Sequence, residues 1–301
     1  MKKLALITGI NYEGTSNELG GCINDANGIL HKLVKDFDFQ TSDIQLLIEE
    51  VATKKNILDG LEQLVANLEP GDVGVFTYSG HGTQTADLPP IGEDDMLDEA
   101  IVPIDGLSDH SNLIRDDEIY DKLANLANGV HFVVIFDSCH SETGTRAPVV
   151  DMHAIKETIG NAATIDEIEG IIKNIKTREL QASQKTVSNR QNDKIRSIEP
   201  SKSVKKIQSM VADLIVHKRD LEHPLSAPGH ILLSGCRAND VSYDDGTNGY
   251  FTKALLDNMK KGMTYQELYD LARKDVLDRS IQRQYPNLEG PQNLIILPIF
   301  E

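Results

Sequence analysis

A histidine and a cysteine that lie far apart in the chain could together perform nucleophilic catalysis. His81 follows the apolar run Val73–Tyr78, and Cys139 follows the apolar run His131–Phe136. A thiol becomes an effective nucleophile when a neighbouring imidazole takes its proton. Taken singly, the cysteine could be a small buried hydrophobe, and the histidine a hydrogen-bonding surface group. Their shared position, each at the end of an apolar run, favours a catalytic pair.

The elements that must position this pair alternate between short apolar strands and amphipathic helices, which is typical of a mainly parallel sheet with helices on both faces. In such a sheet, active residues collect at the carboxyl ends of strands. Adjacent strands would therefore bring His81 and Cys139 together, and Gly80 and Gly82 would let the backbone approach a substrate closely. The predicted strands are Leu4–Ile10, Ile44–Ile48, Val73–Tyr78, His131–Ser138, His230–Gly235 and Asn293–Ile299, and the predicted helices are Asn24–Phe37, Thr53–Asn67, Asp116–Ala127, Phe251–Lys260 and Thr264–Arg279.

Composition and charge exclude several classes of protein. The 301 residues carry a formal net charge of −17, which argues against binding a nucleic-acid backbone. No apolar run is long enough for a membrane helix, and the N-terminus predicts a buried strand rather than a signal peptide. The three cysteines are widely spaced, which excludes a disulfide scaffold or a cysteine-rich zinc site. We therefore expect a protein of the reducing cytoplasm, with no membrane or nucleic-acid partner and no organic cofactor.

The middle of the chain differs from both ends. Residues 151–222 hold 13 basic and 11 acidic residues and no aromatic ones, whereas the remainder holds 17 basic and 36 acidic residues. Apolar residues at helical spacing, around Ile165–Ile175 and Val204–Ile215, predict two helices. The polar stretch Gln181–Ser203 between them predicts an exposed linker. We therefore divide the chain into 1–150 with the candidate pair, a helical insertion over 151–225, and 226–301 completing the same sheet.

Several sequence blocks, in order, resemble those of metacaspases, the caspase-like cysteine peptidases that include bacterial orthocaspase-type enzymes. The resemblance covers about residues 1–148 and 226–301, and the animal-caspase signature Q-A-C-x-G is absent. Clostripain-type peptidases share the Cys-His pair, but the blocks favour the metacaspase branch. The blocks are Gly21-Cys22-Ile23-Asn24-Asp25, Tyr78-Ser79-Gly80-His81-Gly82, Asp98–Asp105, Ile114–Glu118, Asp137-Ser138-Cys139-His140-Ser141, Leu233–Cys236 and Gly249–Thr252.

The resemblance implies a caspase-like fold and a cysteine endopeptidase that works as a dyad and as a monomer. Cys139 would attack a peptide carbonyl, and His81 would take the thiol proton and later protonate the leaving amine. The backbone N–H groups of Gly82 and Cys139 are the expected oxyanion donors. No third catalytic residue is evident in the sequence.

Side-chain alternation along a strand puts Asp137 on the face of Cys139, and Ser79 on the face of His81. In metacaspases, the residues that match Cys22, Asp25, Ser79 and Asp137 form an acidic pocket for Arg or Lys. All four are present here, so we predict protein or peptide substrates cleaved after Arg or Lys. The alternative is that Asp25 caps the following helix and Asp137 only accepts backbone hydrogen bonds.

Residues 87–118 contain eleven acidic side chains and a single Arg or Lys. Crowded carboxylates repel one another unless they are solvated or bridged by a hard cation such as Ca²⁺. Many metacaspases are activated by calcium through acids that match Asp98, Asp116 and Asp117, but the family's fourth acidic ligand falls at Arg146 here. The alternative is a solvated loop whose acids favour the positive end of the next helix. Calcium binding and a purely structural role both stay open.

The predicted linker carries basic residues that such a peptidase could cut. Exposed flexible segments are preferred proteolytic sites, so self-cleavage is one hypothesis for the middle segment. A helical hairpin that docks a partner or shields the cleft is an equal alternative. A catalytically silent caspase-like scaffold acting through its helical insertion is the main competing function, while a cysteine phosphatase is disfavoured because Arg146 lies one position too late. The candidate cleavage residues are Arg178, Lys185, Arg190, Lys194, Arg196 and Lys202.

Overall fold

The apolar runs of the sequence assemble into one six-stranded sheet. A computed structural model of the 301-residue chain describes residues 1–86, 97–138, 149–150, 194–196, 215–216, 229–236 and 241–301. The strands are β1 Lys3–Gly9, β2 Ile44–Ile48, β3 Val73–Ser79, β4 Gly82–Ala86, β5 Leu97–Ile101, β6 Ile114–Arg115, β7 His131–Asp137, β8 Val149–Val150, β9 Lys194–Ile195, β10 Ile215–Val216, β11 Ile231–Ser234, β12 Tyr243–Asp244 and β13 Asn287–Glu289. The α-helices are α1 Cys22–Asp36, α2 Lys54–Ala66, α3 Asp116–Leu123, α4 Tyr250–Asn258, α5 Tyr265–Ser280 and α6 Gln292–Ile295.

The main sheet has the strand order β13-β11-β7-β3-β1-β2. All of its neighbours pair in parallel except β13, which pairs antiparallel with β11. From β1, the chain builds outward to β2 on one side and then to β3 and β7 on the other. The carboxyl ends of β1 and β3 therefore form a topological switch point, which is where open α/β sheets bind ligands.

Alternating side chains give the sheet two apolar faces. On one face, residues such as Phe76 and Phe136 pack with α2 and α3 in one buried cluster. On the other face, Val75 and Ile135 pack with α1, α4 and α5 in a second buried cluster. Strands buried on both sides read as continuous apolar runs, which is why the sequence predicts them well. The predicted mainly parallel α/β fold with helices on both faces is confirmed.

The predicted C-terminal strand Asn293–Ile299 is wrong. The segment forms the short helix α6 after Pro291, and the edge strand is β13, a few residues earlier. Ile295, Ile299 and Phe300 are buried against the second cluster. Burial of this short apolar run needs no particular secondary structure, so its pattern does not distinguish a strand from a helical turn.

The middle segment is described only in short pieces, and these differ from the prediction. Ile215 lies in β10, which pairs with β8, and not in a helix. Lys194–Ile195 forms β9, which pairs with β12, within the predicted linker. The remainder of the two predicted helices, and of the insertion, lies outside the described residues. The division into 1–150, 151–225 and 226–301 stays a prediction, although β7 and β11 are adjacent strands on either side of the insertion.

A second, antiparallel sheet of β4, β5 and β6 lies beyond the carboxyl end of β3, and the sequence did not predict it. It begins at Gly82, directly after His81, and β5 returns beside it, with Ile101 opposite Gly82. Within the described part of the chain, no helix is long and apolar enough to cross a membrane.

Candidate active site

The two candidate catalytic residues follow neighbouring strands that are in register. β3 and β7 pair in parallel, with Ser79 opposite Asp137 at their carboxyl ends. His81 comes two positions after Ser79, and Cys139 comes two positions after Asp137. His81 is buried, whereas Cys139 lies outside the described residues, as do the flanking His140 and Ser141.

Two buried tyrosines fix the backbone of His81. The hydroxyl of Tyr12 accepts a hydrogen bond from the His81 N–H at 3.0 Å. The hydroxyl of Tyr78 donates to the His81 carbonyl at 2.8 Å, and the two hydroxyls are 3.0 Å apart. Burial raises the pKa of both phenols, so they stay neutral. The tyrosines therefore form a rigid support at the point where the chain leaves β3.

The imidazole of His81 is oriented by a backbone group. Its Nε2 lies 2.7 Å from the carbonyl oxygen of Asn17. A carbonyl can only accept, so Nε2 carries the proton, and in the neutral ring Nδ1 is then the basic nitrogen. This third group of the site could not be predicted from the sequence, because the Asn17 carbonyl is a main-chain atom that any residue would supply.

Beside His81, three carboxylates surround one guanidinium. Asp25, Asp137 and Asp244 form what we call the acidic pocket, and the side chain of Arg196 lies among them with 0% exposure. Nη2 of Arg196 donates to Asp25 Oδ2 at 2.6 Å and to Asp244 Oδ2 at 2.9 Å. Nη1 donates to the carbonyl of Asp137 at 2.9 Å and lies 3.5 Å from its Oδ2.

The surroundings of Arg196 favour its charged form. Burial opposes the charge, but the acidic neighbours outweigh it and raise the pKa of Arg196 above its ordinary value. Because Arg196 is buried, the prediction of an exposed linker at this position is wrong. A guanidinium reaches such a place only when carboxylates from other parts of the chain supply its partners.

Asp137 is held by donors from the C-terminal third of the chain. Its Oδ2 accepts from both the N–H and the hydroxyl of Thr252 at 2.8 Å, and its Oδ1 accepts from the hydroxyl of Ser242 at 2.6 Å. Thr252 lies in the first turn of α4, whose N-terminus favours a negative charge. Asp137 therefore accepts a backbone hydrogen bond, as the alternative proposed, and also faces the bound cation.

The carboxylate of Asp25 faces the guanidinium in the acidic pocket and does not cap its own helix. It lies within the first turn of α1, whose N-cap is Gly21. Its Oδ1 accepts from the side-chain amide of Asn248 at 2.8 Å, and Gly249 N–H donates to the same carboxylate. Burial raises the pKa of Asp25 to about 7, although the Arg196 guanidinium acts in the opposite direction and lowers that pKa. The capping alternative for Asp25 is therefore wrong.

The other predicted pocket residues, Cys22 and Ser79, are buried at the same edge of the sheet. Cys22 donates its N–H to Oδ1 of Asn11 at 2.9 Å. Burial raises the pKa of the Cys22 thiol well above its ordinary value, so this thiol stays protonated and does not act as a nucleophile. Ser79 accepts the N–H of Ile10 through its carbonyl, which joins β1 to β3 beside the site.

Two glycines leave room for the guanidinium and for the Asp137 carboxylate that faces it. A Cβ added at Gly249 would lie 2.2 Å from Asp137 Oδ2 and 2.7 Å from Cζ of Arg196. A Cβ at Gly235 would lie 2.9 Å from Asp137 Oδ1. The pocket is therefore lined by bare backbone at these positions. A Cβ at Gly249 would enter the space of the guanidinium and of Asp137, whereas one at Gly235 would press on Asp137 alone of these two groups.

Sequence reasoning missed Asp244, Ser242 and Gly249 as pocket residues. Asp244 and Ser242 lie around β12, a two-residue strand with no periodic pattern that would single it out. Gly249 stands in a block that resembled the metacaspase small subunit, and this was the one signal that could have found it. Asp244 also accepts the N–H of Gly21 at 3.0 Å, so it ties the start of α1 to the pocket.

The predicted calcium ligands lie apart from the pocket, around β5 and α3. β5 and β6 pair antiparallel, with Ala100 opposite Arg115. In this register the residues before Ala100 lie on the side of the residues after Arg115, so Asp98 belongs to the strand beside Asp116 and Asp117. The carboxylate of Asp116 is buried, that of Asp117 is exposed, and the side chain of Asp98 is not described. Among the side chains that are described, no three His, Cys, Asp or Glu gather as a metal site. Calcium binding stays a prediction.

Comparison with known proteins places these features in a family. The sequence model of the caspase domain matches residues 2–293. Metacaspase-1 of Saccharomyces cerevisiae is 32% identical over 272 residues, which cover 88% of this chain and 60% of that protein. Metacaspase-1 of Schizosaccharomyces pombe is 30% identical over 275 residues, which cover 84% of this chain and 58% of that protein. This chain thus spans about three fifths of the length of these curated relatives.

A solved structure agrees with the fold. The crystal structure of a Geobacter sulfurreducens protein matches with a TM-score of 0.61 at 24% identity, covering 100% of this chain and 98% of that one. At this identity, the likeness supports the fold alone. The resemblance to metacaspases that the sequence motifs indicated is confirmed by the relatives above. With the caspase domain matched over nearly its whole length, the chain belongs to the caspase domain family.

Proposed function

We propose that this chain is a cysteine endopeptidase that cuts proteins or peptides after Arg or Lys, with Cys139 as nucleophile and His81 as general base. The observation that carries the proposal is the Arg196 guanidinium, which is fully buried among Asp25, Asp137 and Asp244. A pocket that already holds a guanidinium in this way has the shape and charge that an Arg side chain of a substrate needs.

The charge of the pocket supports the choice of substrate. Three carboxylates face the cation, and among the residues that the structure describes, Arg196 is the one basic side chain that forms ion pairs with them. Carboxylates pair strongly with guanidinium or ammonium groups in a buried setting. An Asp side chain in the same place would meet like charges, and like-charge juxtaposition costs several kcal/mol. We therefore expect cleavage after Arg or Lys and not after Asp.

The geometry around His81 supports its role as the base. Because the Asn17 carbonyl holds the proton on Nε2, Nδ1 of the neutral ring is available by its chemistry to take the proton of the Cys139 thiol. The thiolate would then attack the substrate carbonyl, and the N–H of Gly82 would stabilise the developing oxyanion together with the N–H of Cys139. The imidazolium would give its proton to the leaving amine.

Calcium activation is part of the proposal. Carboxylate oxygens are the donors that Ca²⁺ prefers, and Asp98, Asp116 and Asp117 supply them. When bound, the ion would offset the charge of these acids at the start of α3. Every step at the peptide bond is assigned to this chain's own residues and does not pass through the metal.

The test is a panel of fluorogenic peptides ending in Arg, Lys or Asp, measured with and without added Ca²⁺. We expect turnover after Arg and Lys at least about a hundred times that after Asp, and we expect Cys139→Ala and His81→Ala to abolish it. His31→Ala, an exposed histidine on α1, is the matched control and should retain full turnover. Equal activity of the wild type and Cys139→Ala would remove the peptidase proposal and favour a non-catalytic scaffold. Equal activity with and without Ca²⁺ would remove only the calcium part.

A further inference from the structure

Arg196 is held by its backbone as well as by its side chain. Its N–H donates to the carbonyl of Ser242 at 3.0 Å, and its own carbonyl accepts from the N–H of Gly82 at 3.2 Å. Just before it, β9 pairs antiparallel with β12, with Ile195 opposite Tyr243 and Lys194 opposite Asp244. Proteins that recognise extended peptides often hold them in this way, as an added strand.

The backbone contacts go beyond what a structural ion pair requires. A buried salt bridge needs only the guanidinium and its carboxylates, and it sets no demand on the carbonyl of the same residue. Here the Arg196 carbonyl accepts from Gly82, the residue directly after His81. The strand, the side chain and the carbonyl are therefore all bound at once, and the carbonyl oxygen is held by the predicted oxyanion donor Gly82.

We infer that Arg196 is bound as a substrate of its own chain, and that the enzyme cuts itself between Arg196 and Ser197. The inference rests on the peptidase function proposed above. It selects one bond from the six basic positions that the sequence left open in and beside the predicted linker.

The reaction uses only groups already assigned. The Cys139 thiolate forms a bond to the carbonyl carbon of Arg196, and the C–N bond to Ser197 breaks. The His81 imidazolium gives its proton to the departing amine, which becomes a new N-terminus at Ser197. Water then attacks the thioester, giving a carboxylate at Arg196 and returning the cysteine and histidine to their starting forms. The net change is the hydrolysis of one peptide bond.

The uncut chain should be inhibited by the same contact. The guanidinium of Arg196 is fully buried in the acidic pocket, so no second Arg side chain fits there until it leaves. Cutting after Arg196 ends the covalent link to Ser197 and lets the pocket exchange its occupant. Self-cleavage and release of the pocket are thus two consequences of one bound residue.

The first experiment maps the cut by intact mass and N-terminal sequencing of purified protein, with and without Ca²⁺. We expect a new N-terminus at Ser197 in the wild type and none in Cys139→Ala. Arg196→Ala should not be cut at this bond, Arg196→Lys should still be cut there, and Arg190→Ala is the matched control that should be cut as the wild type is. Cleavage of the wild type only at other bonds would overturn the inference, even if Arg196→Ala failed to fold.

The second experiment measures binding without turnover. A fluorescent Arg-terminated peptide amide is titrated into Cys139→Ala and into Cys139→Ala/Arg196→Ala, with Cys139→Ala/Arg190→Ala as control and thermal unfolding as a check on folding. We expect the Arg196 double variant to bind at least tenfold more tightly than the other two. Equal binding by all three folded proteins would show that Arg196 does not block the pocket.

The two proposals fail in different ways. If wild type hydrolyses Arg peptides yet its chain stays whole at Arg196–Ser197, the inference is wrong and the proposed peptidase stands. If neither Arg peptides nor the chain itself is cut under any condition of the panel, the proposed function is wrong as well. The binding titration is independent of both, because the nucleophile is absent from every variant in it.

Discussion

Two acidic regions of this molecule balance their charge in different ways. In the acidic pocket, Asp25, Asp137 and Asp244 are fully buried, and the cation between them comes from a distant part of the chain. Along residues 105–118, every acid except the buried Asp116 is exposed or half-buried. Asp109 accepts the N–H of Ser111, and Glu118 accepts the N–H of Arg115 and pairs with Lys54.

The contrast separates the acids that hold a cation from the acids that stabilise turns and helix ends. Acids that cap turns and helix ends contribute to stability where they stand and need no ligand. Buried carboxylates need a cation or several donors, because an uncompensated charge in the interior is costly. The pocket meets this need with a residue whose backbone is also held as a substrate strand would be. We therefore expect changes in the pocket to alter recognition of Arg, and changes among the surface acids to leave it alone.

The sharpest way to break this contrast is to neutralise one acid in each region. In an Arg196→Ala background, which empties the pocket, we expect Asp137→Asn to lower kcat/KM for Arg peptides at least about a hundredfold. Removing one partner of a buried charge pair costs about 3–5 kcal/mol. Asp109→Asn, which changes an exposed acid that accepts the N–H of Ser111, should change kcat/KM less than about twofold in the same background. Comparable losses in both variants would end the distinction between the two regions.

The next largest effect is expected from a side chain added at Gly249, where bare backbone lines the acidic pocket. Gly249→Ala puts a Cβ 2.2 Å from Asp137 Oδ2, and neither that carboxylate nor the helix that follows can shift freely. Overpacking of this kind costs about 1–3 kcal/mol, so we expect kcat/KM for Arg peptides to fall about tenfold to a hundredfold. Gly229→Ala is the matched control, because its Cβ would meet nothing within 4 Å. The prediction is wrong if both alanine variants turn over Arg peptides at the wild-type rate.

A smaller effect tests the carboxylate that sequence reasoning missed. Asp244→Asn keeps an acceptor oxygen for Gly21 and for the bound guanidinium but removes the charge, so we expect a loss of about fivefold to tenfold in kcat/KM for Arg peptides. Asp245→Asn is the adjacent control, with an exposed carboxylate that serves its own loop. Steady-state kinetics on Arg and Lys peptides should show the loss for Asp244 alone. A silent Asp244→Asn would reduce the pocket to the four residues predicted from the sequence.

The sequence predicted the parts of the site that end long apolar runs. His81 and Asp137 stand where β3 and β7 change abruptly from apolar to polar residues, and parallel pairing then fixes their neighbourhood. Asp244 and the Asn17 carbonyl could not be found this way, since one lies in a two-residue strand and the other is a main-chain atom. Arg196 stands among polar residues typical of a linker. Its burial depends on partners contributed by three separate segments, and no local pattern records that.

The last comparison concerns protons in the pocket. Burial raises the pKa of Asp25 to about 7 from its ordinary value of 3.8, so between these values the folded chain holds a proton that the unfolded chain has lost. Stability from this group is therefore complete at low pH and is lost as pH rises toward about 7, by up to about 1.4 kcal/mol per pH unit. The exposed acids of residues 105–118 have no such burial, and Asp109, whose pKa is lowered by its hydrogen bonds to Ser111, acts in the opposite direction.

This difference can be isolated by measuring the free energy of unfolding from pH 5 to 8. Cys139→Ala keeps the chain whole and Arg196 in place, and Cys139→Ala/Asp25→Asn removes only the titrating group. In Cys139→Ala/Asp25→Asn, loss of the ion pair with Arg196 offsets the free energy of unfolding at every pH. This variant should also lack the fall in stability that Asp25 causes in Cys139→Ala as pH rises toward about 7. The difference between the two curves therefore changes with pH up to about 7 and is constant above it. A constant difference over the whole range would mean that Asp25 is ionised throughout, and that the pocket around Arg196 is as well solvated as the surface acids.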